Sequence, residues 1–108
     1  MNSVTLHGRV GNVSERRKVG DTDVINFSVA DARKTKDDFA TTWWSVSAWG
    51  FDVEKAEKLE KGQNVTVFGR LEELRQYETN GEQRAEIRMR ATSLYPGQKS
   101  EKKGRPDF

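Results

Sequence analysis

Residues 41–71 read TTWWSVSAWGFDVEKAEKLEKGQNVTVFGRL, and three periodicities follow one another along them. In the first part Trp44, Val46 and Ala48 alternate with Trp43, Ser45, Ser47 and Trp49, which is the period of two expected of a strand. Val53, Ala56 and Leu59 then recur at helical spacing. Asp52 is placed to cap that helix and Gly62 to end it, over about ten residues. Alternation returns with Val65, Val67, Gly69 and Leu71. Working outward, Val4, Leu6, Gly8 and Val10 predict a first strand, and Ile25, Phe27 and Val29 a second. Downstream, Ala85, Ile87, Met89 and Ala91 predict a last strand with Glu86, Arg88 and Arg90 opposite. Asn80-Gly81 suits a type I′ turn, which makes RQYET and EQRAE the arms of a long charged hairpin. Tyr95-Pro96-Gly97 stops the pattern.

Five strands with one short helix between the third and fourth, and a long hairpin between the fourth and fifth, give an all-β chain in the order of the OB-fold barrel. A barrel hides one face of each strand, so a chain with 33% hydrophobic residues can still fold. A β-sandwich is the alternative, and the single mid-chain helix argues against it. The reading places one domain at 1–98 and a short flexible basic tail at 99–108.

The 108 residues suffice for one domain. A chain of this length buries only a little over ~60% of its unfolded surface, so the core must be thin. There is no cysteine and one histidine, His7. This excludes disulfides, sulfur-based zinc sites and multi-histidine cages. Of the 19 basic and 17 acidic residues, four and two fall in 99–108, leaving fifteen of each in 1–98. No stretch approaches the ~20 apolar residues of a membrane helix, and no leader opens the chain, so a cytoplasmic protein is expected. The phosphate loop, the GxSxG elbow and HExxH are absent, and no enzyme activity or cofactor is expected. Gly8 to Gly11 matches a phosphate-clamping GxxG, but inside a strand pattern.

Trp43 and Trp49 stand out because they occupy the polar side of their strand, separated there only by Ser45 and Ser47. Small serines between two indoles leave room for flat rings, and base–aromatic stacking suits every base. The alternative is that the indoles plug an oligomer interface. Tyr77, between Arg75 and Arg84, is a second aromatic among guanidinium groups. Arg33, Lys34 and Lys36, followed by Phe39, form a further basic cluster, which Asp31, Asp37 and Asp38 dilute toward a merely solvated loop. Arg9, Arg70, Arg88 and Arg90 are outward strand arginines that either meet phosphate or pair with Glu72, Glu73 or Glu86.

NSVTLHGRVG at the start and residues 41–94 resemble bacterial single-stranded DNA-binding proteins, over roughly 2–95. The fit is poor at 12–23 and 31–40. The resemblance implies base stacking at Trp43, base contact at Trp49, a stacking hairpin aromatic at Tyr77, and basic positions along the strand at Lys61 and Arg75. It implies no cofactor and a homotetramer, or a homodimer, joined through first strands. Ser3, Val4, Thr5, Leu6, His7 and Arg9 would then lie in the contact, with His7 structural. Departures are plain: ADARKTKDD lacks the loop aromatic, Ser45 replaces a basic residue, and 99–108 read as a basic stretch ending Pro106-Asp107-Phe108 in place of a glycine-rich linker and acidic tail. The reading is sequence-independent binding of single-stranded DNA during replication, recombination or repair, in the nucleoid. Replication or repair proteins remain possible partners, but not through an acidic tail. A primosome-type or phage accessory protein acting through protein contacts is the alternative, beside a structural oligomer and an RNA-binding module.

Overall fold

The computed structural model describes residues 1–98, apart from the side chains of Phe39 and Arg84. The expected basic tail and Phe108 lie outside the described residues. Along the chain run β1 (Val4–Val13), β2 (Arg17–Val19), β3 (Thr22–Lys34), β4 (Phe39–Trp49), α1 (Asp52–Glu57), β5 (Asn64–Thr79) and β6 (Glu82–Pro96). Neighbours follow the order β1-β5-β6-β4-β3-β2, and a further β1–β3 pairing closes β1, β5, β6, β4 and β3 into a ring. All pairs are antiparallel except β4 with β6. The expected five-stranded barrel is thus present, with β2 as an addition.

β2 belongs to a hairpin in the stretch the sequence left unassigned. Val19 pairs with Thr22 across Gly20-Asp21. Gly20 has φ +65, and Asp21 is not among the positive-φ residues, as a type II′ turn requires. At the other hairpin Asn80 (φ 52) and Gly81 (φ 80) form the expected type I′ turn.

The core is one side chain deep. Leu6, Val10, Ile25, Phe27, Val29, Val46, Ala48, Val65, Val67, Met89 and Leu94 are buried in it. Each alternates with an outward residue, as the period of two demands. Val53, Ala56 and Leu59 close one end. The helix is shorter than expected, six residues from Asp52 to Glu57, and Asp52 is its first residue while Phe51 holds the cap position without a side-chain bond. Lys58 N–H to Lys55 O and Leu59 N–H to Ala56 O are three-residue steps that tighten the chain, end the helix and still bury Leu59. Gln63, 3% exposed, ties that end together: its Oε1 accepts from Glu60 N–H and its Nε2 donates to Gly97 O.

Ring closure needs close backbone approach. A Cβ on Gly8 would sit 2.2 Å from Ala30 O, and one on Gly69 2.1 Å from Arg90 O. The GxxG stretch therefore serves packing. Leu71 and Ala85, expected inside, are exposed, because the β5–β6 hairpin has left the barrel by then.

Gly69→Ala forces two backbones apart, so urea denaturation should show a loss of about 1–3 kcal/mol with an unchanged transition slope.

Candidate nucleic-acid interface

Alternation sets Trp43, Ser45, Ser47 and Trp49 on the outer face of β4, about 20 Å from first to last at strand spacing. Trp43 is 53% exposed. Its ring rests over β1: a Cβ on Gly11 would lie 2.8 Å from Trp43 Cζ3 and 2.6 Å from Ser28 Oγ. Trp49 is half-buried, and its register partner Val24 is fully buried although it lies on the outward parity of β3. Trp49 Nε1–H donates to Ser47 Oγ at 3.1 Å. The Arg90 guanidinium stands 4.3 Å from the ring centroid, a cation–π contact.

Between the tryptophans runs a trough. Near Trp49 it is a cavity of about 280 Å³ lined by Arg17, Asn26, Ser45, Ser47, Glu72 and Arg88. A second cavity of about 260 Å³ shares Asn26 and Ser45 and continues past Asn12, Ser14 and Ser28. Arg17 Nη2 donates to Asn26 Oδ1 at 2.7 Å, which turns the β2 arginine into the trough wall. Its neighbour Arg16 is tied to Asp23 at 3.0 Å and Glu57 at 2.8 Å. The Glu57 hydrogen bond, with the nearby charges, raises the Arg16 pKa further above its already high value.

The hairpin presents its residues to the same side. Glu73 pairs with Arg88, Arg75 with Glu86 and Tyr77 with Arg84 in the β5–β6 register, so Arg75 and Tyr77 share the face of Arg88. Tyr77 is 42% exposed with the Arg75 guanidinium 5.9 Å from its ring. Ion pairs offset part of the positive charge: Arg75–Glu86 at 3.5 Å, Arg88–Glu86 at 3.4 Å and Arg88–Glu73 at 3.8 Å. Arg17 and Arg90 lean instead on a neutral carboxamide and an indole.

The other expected residues are dispersed. Lys61 is in the turn that docks on β1 through Gly62 N–H to Val10 O, and Val10 precedes the Gly11 on which the Trp43 ring rests. Lys34 pairs with Phe39 at the start of β4, on the parity of Trp43. Arg33 lies on the opposite parity, donating to Thr42 Oγ1 at 3.0 Å. Arg70 pairs with Arg90 but lines a different cavity, beside Met1, Asn2 and Ser3.

In β1, Leu6 is a core residue whose side chain is closed to a partner, while Val4 packs against the core and is only partly buried. Thr5, His7 and Arg9 face outward; His7 Nδ1 meets Thr66 Oγ1 at 3.0 Å and Arg9 donates to Gly62 O. β3 pairs with β1 only at Arg9, Val10 and Val13. Beside the outward residues Phe68 and Tyr95 meet edge to face at 5.7 Å, both exposed.

Arg17 and Asn26 are not marked by the sequence pattern, whereas Arg90 is one of its outward strand arginines. The Gly20-Asp21 turn was the available signal for the first, since it folds Arg17 back on β3. Among the described residues no group of three His, Cys, Asp or Glu could hold a metal ion, and no helix is long and apolar enough to cross a membrane.

The model of the "Single-strand binding protein family" matches residues 1–96. A small single-stranded DNA-binding protein from Streptomyces coelicolor superposes with a TM-score of 0.68 at 20% identity, covering 89% of this chain and 95% of that one. The single-stranded DNA binding protein from Thermus aquaticus gives 0.68 at 28% identity, covering 91% of this chain and 50% of that one. No curated protein matches the chain.

The three indole N–H groups should give three NMR cross-peaks. Gly11→Ala should move the Trp43 peak, since its ring has no room beside a new methyl, and leave the Trp49 peak in place.

Proposed function

The chain belongs to the single-strand binding protein family, and from that membership we propose that it binds single-stranded DNA without sequence preference, by stacking bases and contacting phosphates. The observation that carries this reading is the trough floored by small polar residues, with an exposed indole at one end and a cation-backed indole at the other. Bases stack on Trp43, on Trp49 and, as the hairpin folds over, on Tyr77. Every base has a π-face, so such contacts are indifferent to sequence. Arg17, Arg75, Arg88, Arg90 and Lys61 meet phosphates, with Arg84, Arg33, Lys34, Arg70 and Phe39 as outer contacts. No step makes or breaks a covalent bond, and no cofactor is needed. The setting is the cytoplasm and nucleoid, protecting exposed strand in replication, recombination or repair.

The open edge of β1 and the exposed Phe68–Tyr95 pair support self-association, as a homotetramer or homodimer, with Ser3, Val4, Thr5, His7 and Arg9 in the contact and Leu6 contributing backbone.

Titration with poly(dT) should quench tryptophan fluorescence, and duplex DNA should not. Roughly five phosphate contacts give a slope of about −3.5 in log K against log salt. Trp43→Ala and Tyr77→Ala should each weaken binding by about 1–3 kcal/mol. No quenching with either nucleic acid would overturn the reading and make these aromatics protein-contact residues.

Glu86 holds two arginines that phosphate must recruit. Glu86→Gln should tighten poly(dT) binding by up to about fivefold at low salt, with the gain vanishing at high salt.

A further inference from the structure

Two registers meet out of step in the β5–β6 hairpin. The Asn80-Gly81 turn sets Thr79 opposite Glu82, and this register runs back as far as Glu73 opposite Arg88. The barrel sets Gly69 opposite Ala91 and Leu71 opposite Met89. The difference is one residue, Glu72, which stands as a bulge in β5 with no partner in the ladder. Because side chains alternate, the position of that extra residue decides which face every later residue takes. Carried on without the bulge, the barrel register would put Arg75 opposite Ala85 and Tyr77 opposite Gln83, turning both away from Trp49 and Arg88. A bulge displaced toward the tip would turn over as many residues as it passed.

One side chain grips the residue that precedes the bulge. Asn2 Oδ1 accepts from Leu71 N–H at 2.6 Å, and Asn2 Nδ2 donates to Leu71 O at 3.1 Å. The β1–β5 backbone ladder starts only at Val4 opposite Gly69. The Asn2 carboxamide therefore extends it by one further step, onto the last residue before the bulge. We propose that Asn2 is a positioning residue that fixes the bulge at Glu72, and so aims Arg75 and Tyr77 over the trough. The link to DNA rests on the function proposed above; the control of register does not.

The test compares the full chain with Asn2→Ala and with Asn2→Asp, which keeps an acceptor for Leu71 N–H but has no donor for Leu71 O. NMR should show cross-strand contacts of Arg75 with Glu86 and of Tyr77 with Arg84 in the parent chain. In both variants these should weaken or shift toward Ala85 and Gln83, with Trp44 and the barrel unmoved. Affinity for poly(dT) should fall roughly fivefold, the scale of one hydrogen bond. Tyr77→Ala should then cost less in the Asn2→Ala background than in the parent. Unchanged hairpin contacts in both variants would overturn the proposal, as would affinity losses that simply add. If the parent chain ignores poly(dT) while the variants still shift the contacts, the DNA reading fails and the role of Asn2 in register stands.

Discussion

The parity of the strands governs this molecule. A closed ring of five strands allows each one face toward a core a single side chain deep, and the other face is left to solvent. Valines, alanines and a few larger residues fill that core, each full burial of a branched side chain contributing about 1.5–3 kcal/mol. Every outward position is then free to carry chemistry. The wall of β4 uses this freedom for two indoles and two serines, and β6 sets Arg88 beside Ser45 and Arg90 beside Ser47.

Parity alone would send the long hairpin the wrong way. Two bulges correct it. Thr92 is the extra residue of β6, and its hydroxyl donates to Phe68 O, so Leu94 returns to the core after Ala91. Glu72 is the extra residue of β5, and it brings Glu73, Arg75 and Tyr77 round to the face of Arg88. Insertion of single residues thus decides both where the core ends and where the candidate site extends.

The described residues are close to neutral in sum, yet the site is not uniformly so. Glu73 and Glu86 occupy Arg75 and Arg88 on the trough face. Carboxylates held this way compete with phosphate, which makes affinity a balance between stacking and exchange of ionic partners. On the far side Glu57 leaves the helix to hold Arg16, and with Asp23 it fastens the strand that presents Arg17. Acid near the helix therefore supports the site without lying in it.

Much of this was legible in residues 41–71. Period two in TTWWSVSAWG separates core from trough, because alternation on a strand is a local property of the backbone. Asn80-Gly81 likewise announced its turn through the positive φ it requires. The helix was overestimated because the spacing of Val53, Ala56 and Leu59 also satisfies a helix that tightens and stops at Glu57. What the sequence determined, then, was the succession of strands along the chain, their buried faces within the barrel and the aromatic wall, all set by near neighbours. Arg17, the seat of Arg90 against Trp49, Asn2 and the two bulges were decided only by the tertiary structure, because each depends on the register between strands distant along the chain. Asn2 and Leu71 lie 69 residues apart, and only closure of the ring brings one to the other.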